Sequence, residues 1–188
     1  MTRIHTLALA AAATLALSLG MNAFAQDMKP VTVGGAPMYA TKNIVQNAVN
    51  SKDHTTLVAA VKAAGLVDTL QSPGPFTVFA PTNDAFAKLP AGTVETLLKP
   101  ENKKTLTNVL TYHVVAGKMS AKDLMEKVKM GGGKTMLKTV EGADLTVAEK
   151  DGKLWLMDAK GSHAQITIRN VNQSNGVIHV IDTVLLPG

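Results

Sequence analysis

From Lys134 to its end the chain alternates β-rich runs with short turns. "KTMLKTV", "ADLTVAEK", "KLWLMDA", "AQITIRNV" and "GVIHVIDTVLL" are separated by Glu141-Gly142, Asp151-Gly152, Lys160-Gly161 and Asn175-Gly176. Asp151-Gly152 is the firmest of these signals. A two-residue hairpin turn needs positive φ at both central positions, and Asp and Gly both tolerate it. Five strands joined in this way form a meander, and that is the strongest constraint on what the chain can become.

The first half has a different period. In "DHTTLVAAVKAAG", Leu57, Val58, Val61 and Ala64 recur at three- and four-residue spacing, Asp53 or Thr55 can cap the start, and Gly65 can supply the left-handed stop. "NIVQNAVN" and "LVDTL" add short helical turns. After the breaker "SPGP" comes "FTVFAP", a β-rich run ended by Pro81, then "TNDAFAKLP", "TVETLLKP" and "ENKKTLTNVL", helical pieces punctuated by prolines. "SAKDLMEKVKMGGG" is a further helix with a capping-box-like pair, Ser120 and Asp123, and glycines as terminator. Helices around one strand, followed by a meander, predict an α+β domain rather than a βαβ alternation. No internal repeat of solenoid period is present.

The N-terminus reads as an export signal. "MTRIHTLALAAAATLALSLGMNAFA" has a basic start at Arg3, an alanine-rich apolar run and Ala-Phe-Ala before Gln26, so residues 1–25 are expected to be a signal peptide cleaved after Ala25. No other segment is long and apolar enough to span a bilayer. The expected location is secreted: periplasm, medium or cell surface. Residues 26–40, with two prolines and a Gly-Gly, are expected to be a flexible leader, and residues 41–188 the folded domain. There is no cysteine, so the core does not depend on disulfides. The net charge of +5 falls to about +4 once Arg3 leaves with the signal. The lysines are scattered and aromatics few, a pattern that argues against nucleic acid as partner and leaves anionic surfaces or polysaccharides open.

Three segments carry a family resemblance. "GPFTVFAPTNDAFAKLP" (74–90) and "NGVIHVIDTVLLP" (175–187) resemble the two signature blocks of the fasciclin domain, and "LTYHVVAGK" between them resembles its Tyr-His segment, in the family's order. The resemblance implies a fasciclin-like twisted β-wedge flanked by several short helices. It also implies a secreted or surface role in adhesion, and no enzyme activity or cofactor. In multi-domain animal relatives the Tyr-His segment and second block are associated with integrin binding. This chain resembles single-domain secreted bacterial members instead, so that partner is not carried over. An unknown surface protein or polysaccharide is expected in its place.

The candidate residues are Thr82, Asn83, Asp84, Tyr112, His113, Asn175, His179 and Asp182, as partner contacts or as structural positions. At a helix-to-strand junction, Tyr112 and His113 point in opposite directions, so at most one is expected in the core, hydrogen-bonded toward Thr82, Asn83 or Asp84. His179 is flanked on its own strand face by Val177 and Ile181 and reads as a satisfied core histidine. Asp182, at the strand's end, can cap a turn or pair with a lysine, and Asn175-Gly176 reads as a turn.

Catalytic and metal motifs are weak. His54, His113, His163 and His179 are far apart, without metal-ligand spacing. Met119, Met125, Met130 and Met136 could ligate a soft ion or simply fill a core. "GGGKT" (131–135) ends like a phosphate loop but has Val128 where that motif needs glycine, and it follows a helix. No nucleophile elbow or cysteine nucleophile is present. The leading expectation is a non-enzymatic adhesion module. The alternative is a binding module that holds a small ligand or metal between helices and wedge.

Overall fold

The computed structural model describes residues 29–188. The signal peptide expected over 1–25 lies outside the described residues, as does the start of the leader. The rest of the leader is a correction. Val31–Val33 (β1) and Ala36–Met38 (β2) form an antiparallel hairpin around Gly34-Gly35, and Val33 and Met38 are buried in the core. Strands of three residues, one containing Pro37, are too short to show a period, and tertiary contact holds them. The Asn47 side chain accepts from Tyr39 N–H (3.0 Å) and donates to Tyr39 O (2.8 Å) and to the Gln173 side chain, clamping the hairpin's exit to the far end of the chain. The folded domain therefore begins near Val31.

Three helices follow: Ile44–Ala48 (α1), Thr55–Ala64 (α2) and Val67–Gln71 (α3). Gly65 closes α2 in the left-handed region, φ +73°, where a β-carbon is penalised. The α2 start is not capped by Asp53 or Thr55. Asn83 does this from elsewhere, its Oδ1 accepting from Thr56 N–H (3.0 Å) and from Thr55 Oγ1 (3.2 Å) while its Nδ2 donates to Lys52 O (2.8 Å). Phe76–Pro81 (β3), Asn83–Ala87 (α4), Thr93–Leu97 (α5), Lys103–Tyr112 (α6), Val114–Ala116 (β4) and Ala121–Met130 (α7) come next. The Ser120–Asp123 capping box of α7 is formed. The meander then runs through Lys134–Lys138 (β5), Asp144–Lys150 (β6), Lys153–Met157 (β7), His163–Gln173 (β8) and Gly176–Ile181 (β9).

Apart from the β1–β2 hairpin, the strands form one seven-stranded sheet of order β4-β3-β9-β8-β7-β6-β5. Strands β5 to β9 pair antiparallel in chain order, whereas β9 pairs parallel with β3. Gly176 opens β9 so close to β3 that any side chain there would strike the Phe76 backbone. A bridge between Val115 and Thr139, with Val140 N–H donating to Val114 O (2.7 Å), brings the sheet's two ends together. The fold is α+β, a nearly closed wedge with short helices.

Near closure gives the sheet two cores. Inside, Phe79, Leu145, Val147, Leu154, Leu156, Ile166 and Ile181 pack on Leu124 and Val128 of α7. Outside, Val78, Ala80, Val171, Ile178 and Val180 pack against α1, α2, α4 and α6 through Ile44, Leu57, Val61, Phe86 and Leu110. Full burial of each large aliphatic side chain contributes about 1.5–3 kcal/mol. The helical layer stops at β8 and leaves the outer face of β5, β6 and β7 uncovered. No helix among the described residues is long and apolar enough to cross a membrane.

Candidate functional site

Both rings of the Tyr-His segment are buried, Tyr112 at 0% and His113 at 3% exposure. Tyr112 ends α6 and His113 is its helical C-cap, so strand alternation does not govern them, and the expectation that at most one ring lies in the core fails. Tyr112 joins the inner core, and its hydroxyl donates to Asp144 O at 3.0 Å. His113 caps the end of α6 and bonds to neither Thr82, Asn83 nor Asp84. Its Nδ1 lies 2.7 Å from Val109 O, and Leu185 N–H donates to its Nε2 at 3.0 Å. A carbonyl only accepts and an amide N–H only donates, so the ring is the neutral tautomer protonated on Nδ1. It staples the end of α6 to the chain's C-terminal segment.

His179 repeats the device in mirror form. Fully buried and stacked on Phe79 with ring centroids 5.8 Å apart, it donates through Nε2 to Met119 O (2.9 Å) and accepts at Nδ1 from Asn170 N–H (3.3 Å). Neither ring nitrogen is free to move a substrate proton. Asn175 does more than turn the chain. Its buried side chain accepts from Ile44 N–H (3.1 Å) and donates to Leu70 O and Ser72 O (both 2.8 Å), joining α1, α3 and β9 in one knot.

The other signature residues lie nearer the surface. Thr82 caps α4 through Ala85 N–H (3.2 Å), and Asp84 is exposed in that helix's first turn. Asp182 accepts from Gln165 N–H (2.8 Å) and from Thr183 Oγ1 (3.1 Å), and lies 3.6 Å from Lys88. The two blocks thus meet at the surface around Lys88 and Asp182, with Asp84 one turn away on the same helix, while Tyr112, His113, Asn175 and His179 are buried. Asp158 was missed by motif reading, although "DAKG" is a turn sequence. Its carboxylate is buried and accepts from the N–H groups of Lys160, Ser162 and Leu186 at 2.8–2.9 Å, the self-bonding habit of Asp in turns.

Burial lowers the proton affinity of all three buried histidines. That of His113 is pushed down to about 4, and those of His54 and His179 are lowered, each chiefly by loss of water. The folded state holds these rings neutral while the unfolded chain binds protons near pH 6.5. Stability is therefore full above about pH 6.5 and declines as pH falls toward 4, His113 alone accounting for about 3 kcal/mol across that window. Urea unfolding at pH 7.5, 5.5 and 4.5 should show this decline. Equal midpoints at pH 7.5 and 4.5 would refute it.

A partly open apolar cavity of about 80 Å³ lies between the helices and β3 and β9, lined among others by Val33, Met38, Leu57, Val61, Leu110 and Ile178. His54 also lines it; its Nδ1 is 2.9 Å from Ser51 Oγ, and its Nε2 is buried without a partner. Among the described residues no three of His, Asp and Glu converge as a metal-ligand set. The methionines divide: Met119 and Met125 pack on the inner core, whereas Met130 and Met136 are exposed.

A family model described as the fasciclin domain matches residues 52–187. Protein sll1483 of Synechocystis is 50% identical over 159 residues, 85% of this chain and 81% of that protein. Cell surface glycolipoprotein MPB83 of Mycobacterium bovis is 35% identical over 163 residues, 84% of this chain and 66% of that protein. Immunogenic protein MPB70 of the same species is 39% identical over 145 residues, 74% and 66% of the two chains. The structure of a FAS1 domain pair from the insect cell adhesion molecule Fasciclin I superposes with a TM-score of 0.68 at 20% identity, over 77% of this chain and 51% of that one.

Proposed function

The chain belongs to the fasciclin domain family, and from that premise we propose that it is an exported, non-enzymatic adhesion module that holds a surface protein or polysaccharide outside the cell. One observation carries the reading: three groups that could do chemistry, His113, His179 and Tyr112, are spent inside the core on hydrogen bonds to backbone groups of the protein itself. The family's signature serves here as scaffold, and its exposed share is the junction of Asp84, Lys88 and Asp182. Relatives agree in kind, one being a cell surface glycolipoprotein and another a domain pair of an insect cell adhesion molecule. Purified protein should bind cells or extracellular matrix of its own source saturably, and Asp84→Lys with Lys88→Glu should weaken that binding severalfold at unchanged unfolding midpoint. Absence of saturable binding sinks the reading.

The cavity favours a second reading, capture of a small apolar molecule. An apolar cavity of about 150 Å³ takes up benzene, and this one is about half that size. Thermal shift with benzene, indole and short alkanes tests it, since a ligand at 100 times its Kd adds about 2.7 kcal/mol. No shift with any of them removes the reading.

A further inference from the structure

Beyond β8 the outer sheet face lacks helices, and what it displays is not an ordinary solvated surface. Register places its side chains in rows. Lys150 faces Lys153, Lys134 runs through Ala148 and Trp155 to Gln165, Met136 runs through Thr146 and Met157 to His163, and Lys138 faces Asp144. Lys138 and Asp144 pair at 3.4 Å. Lys134, Lys150 and Lys153 are exposed and form no ion pair among the described residues. Asp144 is the one carboxylate in these rows. Like charges directly opposite on neighbouring strands destabilise a sheet, and Lys150 and Lys153 stand opposite each other at the Asp151-Gly152 turn, with Glu149 and Asp151 exposed beside them.

Trp155, the chain's only tryptophan, lies half-buried among these cations. With Ala148, Lys150, Met157 and His163 it bounds a shallow depression of about 330 Å³. Its indole N–H is covered yet has no acceptor, a state that costs about 1–3 kcal/mol in a protein interior.

We infer that this face, centred on Trp155 and flanked by Lys134, Lys150 and Lys153, binds an anionic polysaccharide. Charge complementarity demands a partner rich in carboxylate or sulfate. An indole half-exposed at the centre of a broad sheet face can stack on the C–H face of a sugar ring, while the surrounding lysines meet that sugar's carboxylates or sulfates. A lipid bilayer is the poorer match, because insertion requires several projecting apolar side chains and Met136 alone among these is largely exposed, at 70%. The inference names a partner and a face separate from the block junction, so each can fail without the other.

Trp155 makes the experiment direct, since all tryptophan emission arises at the site. Titrating the purified protein with alginate or dextran sulfate at low salt should change that emission saturably, with affinity falling as salt rises, whereas neutral dextran should have no effect. Lys134→Gln, Lys150→Gln and Lys153→Gln together should lower affinity at least tenfold without lowering the unfolding midpoint, since they remove charge without opposing two like charges. Trp155→Phe, followed by calorimetry, should lower it severalfold. Absence of a saturable response to either polyanion overturns the inference. So does undiminished binding by the triple variant, or binding to phosphatidylglycerol vesicles with none to the soluble polymers.

Discussion

Asn175→Asp should destabilise the protein by about 4 kcal/mol or more, and by more than Asn175→Ala does. The replacement has the same shape, so packing is not the cause. Asparagine supplies one acceptor to Ile44 N–H and two donors to the carbonyls of Leu70 and Ser72. A carboxylate keeps the first, loses the other two and sets negative oxygens against two carbonyls in a site 5% exposed. Alanine removes the side chain and leaves three unpaired backbone groups, costing about 3 kcal/mol. Urea unfolding of the two variants at pH 7.5 checks the order, with the midpoint as readout and the slope as control for two-state behaviour. A smaller loss for aspartate than for alanine would show that the side chain is solvated.

His113→Ala should cost about 3–5 kcal/mol at neutral pH. It leaves a cavity where an imidazole was and orphans Leu185 N–H and Val109 O, both in buried surroundings. Against the 5–15 kcal/mol that holds a domain of this size, that is a large share. The variant should also lose part of the stability decline between pH 6.5 and 4, because the ring responsible is gone. His113→Asn tests geometry, since one amide cannot both donate to Val109 O and accept from Leu185 N–H across the span of an imidazole. Calorimetric unfolding at pH 7.5 and 4.5 reads both effects. A variant that unfolds with the parent at both pH values contradicts the staple.

Much of this architecture is legible in local chemistry. Asp151-Gly152 and its companions are turns because of backbone freedom, and Gly65 and the Ser120–Asp123 box mark helix ends through hydrogen bonds spanning a few residues. What is not legible depends on distant residues. Nothing within "FTVFAP" or "GVIHVI" specifies that they pair with each other, in parallel. The β1–β2 hairpin is held by Asn47 and buried by the rest of the fold, so its own residues show no period. The candidate site shows the same division. His113 and His179 stand out as polar rings in apolar runs, but their partners are backbone groups up to 72 residues away, and a backbone N–H has no sequence signature. The Trp155 face has a local signature: in "KLWLM" Lys153, Trp155 and Met157 alternate with buried Leu154 and Leu156, and that alternation assigns an outward row.

The strand made last, β9, sits third in the sheet, between β3 and β8. Before residues 176–181 are available, β3 has a neighbour on one side only and both cores lack Ile178, Val180 and Ile181. Closure joins parts of the chain about 100 residues apart, a slow step because loop entropy is lost before contacts are gained. Until β9 is seated, the edge of β3 that it covers stays unpaired and the helical and inner layers have no common wall.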